Sequence, residues 1–163
     1  MKVWGVTGWK NAGKTHLVER LVAEFTDRGF TVSTIKHAHR GFDLDKPGTD
    51  SDRHRSAGAR EVLIASDRRW ALMHELRDAP EPTLDDLLGH LSPADLVLVE
   101  GYKTGPHPKV EAHRAATDHP LIATTNDTIR AVAADTTVDA PVPVLTLDDT
   151  PAIADFIAKE LGL

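Results

Sequence analysis

Hydrophobic and polar positions in the first 36 residues follow two different periods. Val3 to Thr7 is a short run of β-prone residues. From Thr15 to Phe25, leucine, valine and phenylalanine recur at three- and four-residue spacing, which predicts an amphipathic helix. Gly29 predicts the end of that helix, and the β-branched run Thr31 to Ile35 predicts a second strand. A strand, a helix and a strand in this order form a βαβ unit, which predicts a parallel sheet.

The middle of the chain is patterned differently. Residues 37–48 lack apolar periodicity and contain two glycines and a proline, so we interpret them as a functional loop. Thr49 to Ala59 predicts a helix that is capped by its first or second residue. Glu61 to Ala65 and Arg69 to Leu76 are strand-like runs around a polar turn, which predicts a β-hairpin.

The second half returns to alternating helices and strands. Thr83 predicts the cap of a helix with leucines on one face, and Leu96 to Val99 is apolar throughout, as in a strand buried on both sides. Pro151 predicts the first turn of a closing amphipathic helix. Further strands are predicted at Lys109 to Ala112, Leu121 to Thr125, Ile129 to Ala133 and Val142 to Leu147. We expect one α/β domain over residues 1–163, with a mostly parallel sheet flanked by helices and a β-hairpin extension.

The segment GWKNAGKT, from Gly8 to Thr15, fits the phosphate-loop pattern G-x-x-x-x-G-K-[ST] between the first predicted strand and helix. Its glycines let backbone N–H groups face a phosphate, and the helix directs its positive end there. Lys14 supplies a point charge to the β- and γ-phosphates, and the Thr15 hydroxyl is the expected Mg²⁺ ligand. This context predicts a P-loop NTPase-like fold. Predicted nucleotide contacts are Gly8, Lys10, Asn11, Ala12, Gly13, Lys14, Thr15 and His16.

A phosphate loop of this kind needs an acidic residue at the end of a nearby buried strand. Glu100 directly follows the apolar run Leu96 to Val99. It is the candidate to bind Mg²⁺, directly or through water, or to position a water, and we take Lys14 and Glu100 as the candidate catalytic residues. The alternative for Glu100 is an ordinary acid at a strand end.

Basic residues cluster after the second predicted strand. In an open α/β sheet, the loops at the carboxyl ends of the strands line the ligand crevice, so Lys36, His37, His39 and Arg40 are expected near the phosphate loop. They favour binding of an anion or a substrate. A histidine metal site and simply solvated charges are the alternatives. Arg53 offers a planar fork to a phosphate or pterin-like anion, or else an ion pair to a neighbouring aspartate.

The base preference is poorly encoded, because the N-K-x-D segment of guanine-reading GTPases is absent. Thr124 to Asp127 follows a predicted strand and offers an amide and a carboxylate to a base edge, but the pattern favours an Asn-Asp turn.

The composition of the chain argues against two classes of function, nucleic-acid binding and membrane insertion. The net charge of −6 argues against a general nucleic-acid binder. No apolar run approaches the roughly 20 residues that cross a bilayer, and there is no cysteine, so we expect no membrane span and a reduced, cytoplasmic location.

Four segments together resemble a known family, the molybdopterin-guanine dinucleotide biosynthesis adaptor protein MobB. They occur in order, and the resemblance covers residues 3 to about 127. The block from Ile35 to Ala59 is far more specific than the phosphate loop. The segments are GWKNAGKT, IKHAHRGFDLDKPGTDSDRHRSAGA (Ile35 to Ala59), DLVLVEGYK (Asp95 to Lys103) and PKVE (Pro108 to Glu111).

The resemblance implies GTP and Mg²⁺ binding, slow hydrolysis at most, and a homodimer that assists the guanylyltransferase MobA in attaching GMP to molybdopterin. By position, the resemblance assigns nucleotide contacts to Gly8, Gly13, Lys14 and Thr15. It makes Glu100 the acidic residue at the end of the buried strand. Residues 36–39 become part of a cleft that faces molybdopterin or its guanine dinucleotide. Arg40 departs from the histidine expected there. A small-molecule kinase with the same loop is the alternative function.

The predicted hairpin also suggests a partner. Trp70, Leu72 and Met73 are more apolar than a free two-stranded ribbon tolerates in water. We therefore predict that the hairpin pairs across a dimer interface.

Overall fold

A computed structural model describes residues 1–38, 41–42 and 44–163. The chain divides into two compact units, one formed by Met1–His37 with Leu87–Leu163 and the other by Ala38–Asp86. Each unit is described by itself below. A single domain over the whole chain stays a prediction.

Helices and strands alternate along most of the chain. In chain order they are β1 (Lys2–Thr7), α1 (Lys14–Asp27), β2 (Val32–Lys36), α2 (Asp50–Ser56), β3 (Glu61–Ala65), β4 (Trp70–His74), α3 (Leu84–Gly89), β5 (Leu96–Glu100), β6 (Lys109–His113), β7 (Ile129–Ala134), β8 (Val144–Thr146) and α4 (Thr150–Leu161). Two 3₁₀ turns, Ala115–Thr117 and Ile122–Thr124, lie between β6 and β7. Among the described residues, no helix is both long and apolar enough to cross a bilayer.

The first unit is built on a parallel sheet of six strands in the order β2-β5-β1-β6-β7-β8. The predicted parallel α/β sheet is thus confirmed. The run Leu96 to Val99 lies in β5 between β2 and β1, and all residues of β5 are buried. Helices cover both faces of a central parallel strand in most such folds, so its sequence is apolar without alternation.

One face of this sheet packs against α1 and α4. Leu17, Leu21 and Phe25 of α1 are fully buried, as the helical spacing predicts. The Trp4 ring meets the Phe156 ring edge-on, with 6.3 Å between centroids. The Asp149 side chain accepts a hydrogen bond from the Ala152 N–H and caps α4, whose first turn contains Pro151. The core therefore fixes β1 and α1, the two elements that flank the predicted phosphate loop.

One predicted strand is wrong, whereas several others extend one residue beyond their predicted bounds. Leu121 to Thr125 contains the 3₁₀ turn Ile122–Thr124 instead of a strand. The Glu111 carboxylate accepts hydrogen bonds from the N–H groups of Ile122 and Ala123, at 2.9 and 2.8 Å. These N–H groups are therefore not available to a strand ladder. By contrast, β7 extends the run Ile129 to Ala133 by one residue and pairs on both sides.

The second unit contains α2 and the hairpin of β3 and β4, as predicted. The Thr49 side chain accepts a hydrogen bond from the Asp52 N–H and caps α2. In the hairpin, Leu63 pairs with Leu72 and Ala65 with Trp70, so these four side chains share one face. Trp70 is 66% exposed and Leu63 61% exposed. That face is an apolar surface open to solvent within the chain.

Candidate nucleotide-binding site

The segment from Gly8 to Gly13 forms a tight loop between β1 and α1. Three of its residues have left-handed backbone conformations: Gly8 (φ 143°), Asn11 (φ 65°) and Gly13 (φ 91°). A Cβ at Gly8 would clash with the Ala112 carbonyl oxygen, so no side chain fits there. The loop leads directly into α1, a helix of 14 residues, whose first N–H groups and positive dipole end favour an anion. The local geometry therefore suits a phosphate group.

Lys14 lies across this loop. Its ammonium donates a hydrogen bond to the Trp9 carbonyl oxygen at 2.7 Å. Partial burial lowers the pKa of Lys14, while the Glu100 carboxylate acts in the opposite direction. A half-buried ammonium with one backbone partner can bind a phosphate at the cost of a single hydrogen bond.

Thr15, Glu100 and Lys36 meet at the carboxyl ends of β5 and β2. The Thr15 hydroxyl donates a hydrogen bond to Glu100 Oε1 at 2.8 Å. Lys36 Nζ lies 3.2 Å from Thr15 Oγ1 and 3.2 Å from Glu100 Oε1. Thr15 Oγ1 and Glu100 Oε1 thus both contact a cation, the Lys36 ammonium.

A hydroxyl and a carboxylate are suitable ligands for Mg²⁺, which keeps several waters and binds nucleotide phosphates with one or two protein carboxylates. No cluster of three or more potential metal-binding residues occurs in the part of the chain that the structure describes. The Thr15 hydroxyl and the Glu100 carboxylate, 2.8 Å apart, fit a magnesium ion that protein and phosphate would hold jointly.

The structure brings some of the other predicted residues to this place and not others. His37 follows β2; its N–H donates to the Glu100 carbonyl oxygen at 2.9 Å, and its ring lies 4.8 Å from that of Tyr102. His16 is exposed and lies 3.5 Å from the Glu19 carboxylate. Lys10 is exposed and Ala12 is buried within the loop. His39 and Arg40 lie outside the described residues.

Two further predictions concerned Arg53 and the segment Thr124 to Asp127. Arg53 belongs to the second unit and is exposed, with Nη1 3.7 Å from Asp50 Oδ1. That contact favours the local ion pair. The Asn126 amide donates to the Lys103 carbonyl oxygen, and its oxygen accepts hydrogen bonds from the Thr128 N–H and hydroxyl. Because the amide group is occupied on both sides, the turn interpretation accounts for it.

Sequence reasoning missed the residues that hold the phosphate loop from one side. The Trp9 indole N–H donates to the Pro120 carbonyl oxygen at 2.8 Å, and the ring lies 4.7 Å from His119. Lys103 Nζ lies 4.0 Å from the centroid of the Trp9 ring. The sequence signal was a tryptophan in the variable part of the motif, where the phosphate chemistry needs no aromatic residue. Trp9 ties the loop to two later segments.

The segment between Glu100 and β6 is anchored by a buried lysine. Lys109 Nζ donates to the carbonyl oxygens of Gly105 (2.6 Å) and His107 (2.7 Å) and to Thr128 Oγ1 (2.7 Å). Burial lowers the pKa of Lys109 to about 8, with Asp127 acting in the opposite direction. Burial and the neighbouring Lys109 lower the pKa of His107 to about 4, so its ring is neutral at pH 7. These contacts fix the segment that contains Lys103, whose ammonium lies over the Trp9 ring.

A parallel sheet with this loop after its first strand, and an acid at the end of the adjacent strand, defines a P-loop NTPase-like α/β protein. The family model "Molybdopterin guanine dinucleotide synthesis protein B" (MobB) matches residues 3–135. The chain belongs to the MobB family, as the resemblance of its four segments predicts.

Named relatives agree with that membership. The chain is similar to the molybdopterin-guanine dinucleotide biosynthesis adapter protein of Haemophilus influenzae, with 40% identity over 96% of this chain and 88% of the relative. It is 37% identical to the Escherichia coli protein of the same name over 93% of this chain and 88% of that one. The crystal structure of a MobB homologue from Bacillus stearothermophilus superposes with a TM-score of 0.75 at 32% identity, covering 99% of both chains.

Proposed function

We propose that this protein binds GTP with Mg²⁺ at the phosphate loop and acts as an accessory protein in the synthesis of molybdopterin guanine dinucleotide. The observation that carries the proposal is the loop itself: three left-handed residues lead into α1, with the Lys14 ammonium laid across them. The names of the relatives support the pathway. Their adapter role suggests that the chain assists the guanylyltransferase MobA in the cytoplasm.

Each residue of the site takes one task in this proposal. The backbone of residues 8–15 surrounds the β-phosphate, and Lys14 neutralises charge on the β- and γ-phosphates. Thr15 and Glu100 hold Mg²⁺, which supplies charge neutralisation at the phosphates. Lys36, at present paired with Glu100, is then free to contact the terminal phosphate. We assign slow hydrolysis at most, as the resemblance to the family implies.

Calorimetry with GTP, ATP and GDP, each with and without Mg²⁺, tests this proposal on the wild-type protein. We expect GTP to bind in preference to ATP. We also expect GTP to bind more weakly when EDTA removes the metal, because the ion that Thr15 and Glu100 would hold neutralises charge on the phosphates. A preference for ATP with turnover of about 1 to 100 per second would instead indicate the small-molecule kinase. Equal, weak and metal-independent binding of every phosphate would reject both functions.

We further propose that the protein is a homodimer that pairs through the exposed face of the hairpin. Leu63, Trp70 and Leu72 lie together on that face, and each is at least 45% exposed. Met73 was predicted to belong to the same apolar set, but it pairs with Val62 on the opposite face of the hairpin. Contiguous exposed apolar side chains of this size favour burial against a second chain.

Trp70→Asp is expected to shift the protein toward monomer in light scattering, since an unpaired charge at the centre of an apolar interface is costly to desolvate. Ala71→Asp is the matched control, because Ala71 is the next residue, is exposed and lies on the other face. The proposal requires the control to stay dimeric. A Trp70→Asp variant with the mass of the wild type would refute this interface.

A further inference from the structure

The guanidinium of Arg114 lies against the phosphate loop. A Cβ built on Gly13 would meet Arg114 Nε at 3.0 Å and Cζ at 3.7 Å. Gly13 is the residue directly before Lys14, so this planar cation touches the point where the loop becomes α1. Among the described residues, the Arg114 guanidinium has no carboxylate within ion-pair distance and no hydrogen-bond acceptor. An unneutralised cation in this position implies an anionic or aromatic ligand.

The topology places Arg114 at the crevice of the sheet. From β1 the chain passes through α1 to β2 on one side of the sheet, whereas from β6 it passes to β7 on the other side. The strand order therefore reverses between β1 and β6. In open α/β sheets, ligands bind outside the carboxyl ends of the strands at such a reversal. The phosphate loop follows β1 there, and Arg114 is the first residue after β6.

The residues around the loop also indicate which part of a nucleotide lies on which side. Thr15, Glu100 and Lys36 mark the side of β5, where Thr15 and Glu100 would hold a metal ion that neutralises charge on the terminal phosphates. Arg114 lies on the opposite side of β1, at the end of β6. A nucleotide whose terminal phosphates point toward β5 directs its nucleoside half toward β6.

The segment that carries Arg114 is held in place. The Asp135 carboxylate accepts a hydrogen bond from the Ala115 N–H at 2.9 Å, and the Pro120 carbonyl oxygen accepts one from the Trp9 indole at 2.8 Å. The segment is thus tied at one end to the residue that follows β7 and at the other end to the phosphate loop. A side chain that projects from it is positioned before any ligand arrives.

We propose that Arg114 binds the nucleoside half of the nucleotide, with its planar guanidinium against the face of the base. This inference rests on the proposed nucleotide function and adds a binding residue that the phosphate-loop motif does not contain. Arginine suits this role because its delocalised, weakly hydrated cation stacks on aromatic surfaces, which the compact lysine ammonium does less well.

The test compares Mg²⁺–GTP with Mg²⁺–tripolyphosphate, a ligand that has the phosphates and lacks the nucleoside. By calorimetry, Arg114→Ala is expected to weaken GTP binding about 10- to 30-fold, as loss of a stacked cation implies, and to leave tripolyphosphate within about twofold. Arg114→Lys is expected to recover only part of the GTP affinity. Arg68→Ala, an exposed arginine in the hairpin turn, is the control and should match the wild type.

The outcomes separate this inference from the proposed function. If Arg114→Ala binds GTP as the wild type does, or loses GTP and tripolyphosphate equally, the assignment of Arg114 to the nucleoside is overturned while the nucleotide site stands. If the wild-type protein binds neither ligand, both the function and the inference fail. Full recovery of GTP binding by Arg114→Lys would also overturn the stacking role, because charge alone would then suffice.

Discussion

Replacing Lys14 with alanine is expected to weaken Mg²⁺–GTP binding about 100-fold or more. Truncation of one partner of a close, desolvated charge pair costs about 2–5 kcal/mol, because the other charge is left without its counter-ion. The Lys14 ammonium is partly buried in the loop and is held there by its hydrogen bond to the Trp9 carbonyl oxygen, at 2.7 Å. Because this position is fixed before binding, little conformational entropy is lost when the phosphates arrive.

Calorimetry at constant salt measures this effect, since phosphate contacts are sensitive to ionic strength. Lys2→Ala is the matched control: Lys2 is exposed at the start of β1, at the end of that strand away from the loop. Its affinity should equal that of the wild type. Lys14→Ala should weaken tripolyphosphate as much as GTP, in contrast to Arg114→Ala. If Lys14→Ala retains affinity for both ligands, the phosphate loop is not the binding site.

The phosphate loop could be predicted from the sequence because its chemistry is local. The positions of Gly8 and Gly13 are fixed by backbone conformations that other residues avoid, so an eight-residue motif states the geometry directly. Glu100 could be predicted for a related reason. It ends an apolar run, and parallel strands align their carboxyl ends, so a one-dimensional pattern places the acid near Thr15.

The residues that surround the loop could not be predicted, because their contacts are long-range. Trp9 binds Pro120, 111 residues later, and the Arg114 side chain touches Gly13. No periodicity or spacing relates positions so far apart. The topological reversal between β1 and β6 brings them together, and that reversal depends on the strand order rather than on any short segment.

A long-range contact also explains why the strand predicted at Leu121 to Thr125 is wrong. In β6 the polar residues Lys109, Glu111 and His113 alternate with apolar ones, a pattern typical of a strand with one wet face. All residues of β6 are nevertheless buried. Glu111 is covered because it bonds the 3₁₀ turn Ile122–Thr124, and the β-prone composition of that turn misled the prediction. The error cannot be seen from the sequence without the contact between β6 and that turn.

Glu111→Ala is expected to lower the free energy of unfolding by about 3 kcal/mol, because it removes a buried, charge-assisted acceptor and leaves two N–H groups without a partner. The Glu111 side chain is fully buried and accepts from the Ile122 and Ala123 N–H groups at 2.9 and 2.8 Å. Urea denaturation followed by tryptophan fluorescence measures the change. Glu19→Ala, on the exposed face of α1, should change stability by less than about 0.5 kcal/mol.

Glu111→Gln separates the hydrogen bonds from the volume of the side chain. An amide has one oxygen to accept from one N–H group, while its own NH₂ group faces the second donor. We therefore expect Glu111→Gln to be less stable than the wild type although its shape is nearly the same. If it equals the wild type, the carboxylate is not what holds the 3₁₀ turn to β6. A destabilised turn also loosens the segment that carries Arg114 and Pro120, so GTP affinity in these variants should fall with stability while tripolyphosphate affinity changes less.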